Sequence, residues 1–191
     1  MGKGRLEAFS DGVIAIIITI TVLELKQPIG AAADELRPMV PLLLAYAMSF
    51  VYIAIYWNNH HHMLHAVKHV DGAVMWANMH LLFWLSLIPF TTGWLGEHPH
   101  QPVPVAAYGL VLTMCGLAWM ILQAALVRLH GRASEFAQAV GHDRKGKITQ
   151  LILLAGLGMT WVEPLISIGL YVIVALIWLV PDRRFGRLAE H

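Results

Sequence analysis

The feature that most constrains this chain is a succession of long apolar runs almost empty of charge. Crossing ~30 Å of hydrocarbon takes about 20 mostly apolar residues in a helix. Runs of that kind are found at roughly 7–26, 39–60, 74–95, 103–127, 148–162 and 164–180. Of the 191 residues 58% are hydrophobic and 13% charged, where a soluble domain carries about 25% charged. The expected fold class is therefore all-α: a polytopic membrane protein with six transmembrane helices per subunit, forming one domain over 1–191. That class excludes a soluble enzyme, a secreted disulfide domain and a disordered tail. A net charge of +1 leaves no electrostatic footprint for nucleic acid, and the single Cys115 can make no internal disulfide.

Boundaries follow from breakers and from charge. Pro28, Gly30, Pro38 and Pro41 punctuate the first connection, and Glu97-His98-Pro99-His100-Gln101-Pro102 the third. One helix over 147–181 would reach ~50 Å, too long for a bilayer, and Glu163-Pro164 offers a turn in its middle. Two short spans are favoured there. With six spans and an inside N-terminus, all 13 basic residues except Lys26 and Arg37 fall on one side, as cytoplasmic loops require. A five-span chain would place Arg183, Arg184 and Arg187 outside. Both termini are expected to be cytoplasmic. Lys3 and Arg5 ahead of an apolar run suggest a signal peptide, but no small-residue cleavage site follows, and Thr19, Thr21 and Glu24 interrupt the run. Tyr46, Trp57, Trp76, Trp94, Tyr108, Trp161 and Trp178 fall near span ends, where amphipathic rings prefer to sit; Trp84 and Trp119 lie deeper and read as packing residues. The basic loop 128–147 has room for a short surface helix in its middle.

The first span is the polar exception, holding Arg5, Glu7, Ser10, Asp11, Thr19, Thr21 and Glu24. An ionised Asp at the centre of a membrane helix costs on the order of 3 kcal/mol, so such residues face protein or water. Arg5 is six positions from Asp11, about 240° around the helix, so a partner for Asp11 is expected from another helix. Ser10-Asp11-Gly12 also reads as a helix N-cap, at the cost of a span shortened to ~24 Å. From Val13 to Leu25 the run is apolar all round, and periodicity does not tell which face meets lipid. The stride Gly12, Ile16, Thr19, Leu23 makes one stripe. Thr19 either returns its hydroxyl to the preceding turn or, if the stripe lines a pore, offers it to a passing cation between constrictions at Ile16 and Leu23.

Histidine is the second anomaly, with 11 copies and His60, His61, His62, His65 and His69 clustered at the end of the second span. His61/His65 and His65/His69 are i,i+4 pairs, a zinc-compatible spacing. No Cys and no HExxH pattern accompanies them, so no resident metal or cofactor is expected. His60 and His61 are expected to reach a polar network, and the rest to be solvated.

Arg5-x-x-x-Phe9-Ser10-Asp11 opening the first span resembles the signature of the bacterial potassium channels related to lysosomal transmembrane protein 175. Trp57-x-Asn59-His60-His61, Asp71, Asn78 and Pro89-Phe90-Thr91 follow in order, so the resemblance covers residues 5 to about 95. It implies a homotetramer in the lipid bilayer with four first helices around a K+ pathway. Ile16 then corresponds to the pore-narrowing isoleucine, Thr19 to a hydroxyl layer and Leu23 to a further apolar layer. It also implies a structural network of Arg5, Ser10, Asp11, Trp57, His60 and Asn78 behind the pore helix. Independently, no Thr-Val-Gly-Tyr-Gly filter is present, so K+ over Na+ selectivity must come from side chains and be modest. Glu24 in four copies would concentrate cations at an outer mouth, or simply end its helix. The competing reading is a proton-coupled or metal-ion transporter using the His60–His69 cluster, against which no inverted repeat is visible. A membrane enzyme lacks a convergent set of catalytic groups.

Overall fold

The computed structural model describes residues 2–28, 30–141 and 143–179, and among them every regular element is helical. Helix α1 (Lys3–Leu23) starts from a Gly2 cap. Ser10, Asp11 and Gly12 are therefore inside the helix, and the N-cap alternative falls. The helix ends three residues earlier than the sequence suggested, leaving Glu24 as its C-terminal cap. Its 21 residues rise ~31 Å, one hydrocarbon thickness.

A 3-10 turn at Ala33–Met39 leads into α2 (Val40–His65). This helix runs five residues past the expected end, so His60, His61, His62 and His65 all lie on it. The third span is not continuous: α3 (Gly72–Ser86) and α4 (Ile88–Glu97) are separated at Leu87. Pro89 explains the break, because it lacks an N–H and its ring crowds the carbonyl four residues back, at Leu85. Asp71 starts α3 by accepting a bond from the Val74 N–H at 2.8 Å, satisfying one of the helix's orphan donors.

Helix α5 (Pro102–His130) is the longest element. In the basic loop, α6 (Glu135–Val140) is capped by Ser134, with Ala137 N donating to its hydroxyl at 3.2 Å. It is less superficial than expected, since Phe136 is buried in the core. Helices α7 (Arg144–Met159) and α8 (Pro164–Leu179) are separate and pack on each other. The turn falls just before Pro164, so a single overlong helix is excluded. Lys3–Leu23, Ala33–His65, Gly72–Glu97 and Pro102–His130 are each long and apolar enough to cross a membrane, while α7 and α8 have 16 residues apiece.

Two cores hold the helices. One joins Leu6, Ile14 and Ile17 of α1 to Ile53 and Met63 of α2, Leu81 and Leu85 of α3, and Leu122 of α5. The other gathers α2, α5, α7 and α8 around Tyr52, Tyr108, Leu153 and Tyr171. Tyr108, expected near an interface, is a fully buried core residue whose hydroxyl lies 2.9 Å from Ser49 Oγ. Tyr171 packs over Gly109 and Gly156 so closely that neither has room for a methyl group. Buried bonds from Tyr52 Oη to the Tyr171 carbonyl (2.6 Å) and from Gln150 Nε2 to the Thr113 carbonyl (3.0 Å) complete this half. Small residues and polar cross-links of this sort hold helices together where lipid is as apolar as leucine.

Candidate functional site

Helix α1 has two unlike faces. Leu6, Ser10, Ile14, Ile17 and Thr21 are buried, a stripe that meets α2, α3 and α4. At 100° per residue the stripe Gly12, Ile16, Thr19, Leu23 lies nearly opposite. All four are exposed, with Ile16 at 57% and Leu23 at 77%. The face that periodicity left open is thereby assigned within the subunit: Ile16, Thr19 and Leu23 point away from their own chain. Thr19 Oγ1 donates to the Ile16 carbonyl at 2.9 Å, and buried Thr21 does the same to Ile17 at 2.7 Å. A hydroxyl that donates to its own helix keeps lone pairs free to accept, and those of Thr19 are on the outward face.

Behind that face, Asn78 of α3 bridges two helices. Its Nδ2 donates to Ser10 Oγ at 2.9 Å, and its Oδ1 lies 2.7 Å from His60 Nε2. Ser10 passes its own proton to the Leu6 carbonyl at 2.8 Å. Because a carbonyl oxygen only accepts, His60 must carry its proton on Nε2, which leaves Nδ1 as an acceptor without a partner among the described residues. All three residues are completely buried. One residue further along α1, Trp57 of α2 donates from Nε1 to Asp11 Oδ1 at 3.1 Å, so the partner of Asp11 does come from another helix. Arg5 stands apart: it is exposed, on the same outward face as Ile16, and its side chain makes no hydrogen bond or ion pair to any described residue.

The histidine cluster is divided among three neighbourhoods. His60 enters the Ser10–Asn78 chain. His61 and His65 approach Glu7 of α1 at 3.5 and 3.2 Å. His69 lies against His130 of α5, ring centroids 4.7 Å apart. Glu7 was not singled out as a site residue, because nothing in a sequence pairs residues on different helices. At the other end, Glu24 is half-buried with its carboxylate against Gly93 of α4. Beyond it Lys26 pairs with Glu97 at 2.5 Å, and that hydrogen bond and charge hold the Lys26 ammonium above its ordinary range.

Residues 5–89, from Arg5 into the first turn of α4, match the family model described as the endosomal/lysosomal potassium channel TMEM175. A potassium channel from a Chryseobacterium species is 50% identical over 187 residues, spanning 98% of this chain and 97% of its own. The chain belongs to the TMEM175 family. The crystal structure of a lysosomal potassium-selective TMEM175 homolog from Chamaesiphon minutus superposes with a TM-score of 0.82 at 26% identity, covering 94% of this chain and 97% of that one. A zebrafish TMEM175, 23% identical over 69% of this chain and 25% of its own length, is named an endosomal/lysosomal proton channel. TMEM175 proteins are multi-pass membrane ion channels and not enzymes.

Proposed function

We propose that four copies of this chain assemble around an axis lined by α1 and form a potassium-permeable channel in the bacterial plasma membrane. Ile16 and Leu23 make its narrow apolar rings, and Thr19 makes a hydroxyl layer between them. The observation that carries this reading is the sidedness of α1. Its polar and bulky groups Ser10, Ile14, Ile17 and Thr21 are spent on the subunit's own core, while Gly12, Ile16, Thr19 and Leu23 are exposed, Thr19 bonding only back to Ile16 of its own helix. Six helices per subunit are too few to enclose both a polar pathway and its support, so a symmetric ring is the natural closure. Arg5, on that same outward face, is positioned to meet a neighbouring copy.

In this arrangement an apolar ring closes the pathway by excluding water. The threonine oxygens then replace part of the hydration of an ion that passes. Without a carbonyl filter the preference for K+ over Na+ is modest. The Ser10–Asn78–His60 chain and the Asp11–Trp57 bond keep α1 at a fixed rotation, so that the stripe faces the axis. Glu24 ends α1 near the outer mouth, and both termini are cytoplasmic because that orientation collects the basic loops inside.

The transporter reading needs a continuous set of exchangeable groups, and the division of the histidines into three neighbourhoods does not favour it. The test is a mass and a flux. The purified chain is expected to run as a tetramer in detergent and, in liposomes, to dissipate a K+ gradient without saturation. A monomer, or saturable uptake driven by a pH gradient, would overturn the proposal. Measuring K+ and H+ flux in the same vesicles decides which cation the zebrafish and bacterial names describe better here.

A further inference from the structure

Glu7, His61 and His65 have no part in the pathway described above. Glu7 sits one turn before Asp11 on α1, and its Oε1 lies 3.5 Å from His61 Nδ1 and 3.2 Å from His65 Nε2. His61 and His65 are one turn apart on α2, with ring centroids 4.5 Å apart. One ligand atom from each of the three residues lies within 4.8 Å of the other two. We propose that these three side chains form a binding site for a divalent transition metal of the zinc type, fastening α1 to α2.

Geometry and donor chemistry both support the site. Zinc holds imidazole nitrogen and carboxylate oxygen at about 2.0–2.2 Å in a tetrahedron, which puts neighbouring ligand atoms about 3.4 Å apart. The two separations involving Glu7 fall on either side of that value. Two imidazoles and one carboxylate suit zinc, nickel or cobalt, whereas calcium and magnesium take oxygen ligands. The anchor is held firmly: the Glu7 side chain is 17% exposed, next to fully buried Leu6. The His61 and His65 side chains are 39% and 49% exposed, which leaves a fourth position open to water and a route in. Nearby, Lys3 Nζ reaches the His65 carbonyl at 3.4 Å, and this positive charge weakens the site. The affinity expected is micromolar, a Kd of about 1–10 µM.

Calorimetric titration of the full-length chain in detergent with zinc chloride tests the site. The expected result is one zinc per subunit, with the affinity lowered at least about tenfold in Glu7→Gln and in His61→Ala and unchanged in His62→Ala. Absence of binding to the unaltered chain overturns the proposal, as does an equal loss in His62→Ala or His69→Ala, the mark of adventitious surface histidines. If His61→Ala misfolds by size-exclusion chromatography, the near-isosteric Glu7→Gln decides. The consequence for conduction rests on the pathway proposed above. Zinc at about 100 µM, some tenfold or more above the expected Kd, lowers K+ flux in unaltered vesicles and leaves that of Glu7→Gln unaffected. Zinc that binds without lowering flux overturns the fastening role. Vesicles that pass no K+ even without zinc refute the pathway, while the titration still judges the metal site.

Discussion

Ile16→Asn is expected to raise K+ flux into liposomes by at least about tenfold while the subunit stays folded. The two halves of that expectation have separate origins. Ile16 is 57% exposed and belongs to neither core, so changing it removes no intramolecular packing. Surface changes of that kind alter stability by about 0.5 kcal/mol or less. If four such side chains face one another, however, the amide wets a ring that excluded water. Lowering the barrier by only about 1.4 kcal/mol gives a tenfold increase in rate. A stopped-flow assay with a K+-sensitive dye measures it. Unchanged flux, with the protein correctly folded, means that Ile16 faces lipid.

The second large effect is expected at Asn78. Asn78→Leu removes both bonds of the bridge in a region with no solvent access: it strands the His60 Nε2–H and takes from Ser10 Oγ its only donor, leaving it the bond to the Leu6 carbonyl. Each unsatisfied buried group costs about 1–3 kcal/mol, so a loss of about 3 kcal/mol is expected, seen as a lower Tm in a thiol-independent thermal shift assay and as reduced yield of assembled protein. Asp11→Ala, which removes the single partly exposed bond from Trp57, costs about 1 kcal/mol. If the two variants lose equal stability, the Ser10–Asn78–His60 chain does not carry the packing of α1.

Much of this was legible beforehand for physical reasons. Proline punctuates a membrane chain because it interrupts the helical hydrogen bonds that the bilayer demands, so Pro164 marked the turn between α7 and α8. The polar first span announced itself because an Asp in a membrane helix must have a partner. What lay beyond reading was rotational and relational. An all-apolar helix has no moment to say which side is inside, so the outward face of Ile16 needed coordinates. The Pro89 break went unread because the apolar run continues through it. Glu7 meets His61 and His65 only through the crossing of α1 and α2, and Tyr171 finds Gly109 and Gly156 across three helices. The second half carries no local motif for such contacts, since close approach of small residues leaves no signature except Gly itself.

The central claim is that the outward stripe of α1 meets water at a symmetry axis. Ile16→Cys and Leu176→Cys, each in a Cys115→Ala background, form a matched pair, because both positions are 57% exposed in the subunit. Charged, membrane-impermeant thiol reagents should react with Ile16→Cys and abolish its K+ flux, and leave Leu176→Cys on α8 unmodified. Reaction at neither position, or loss of flux only in Leu176→Cys, would contradict the account.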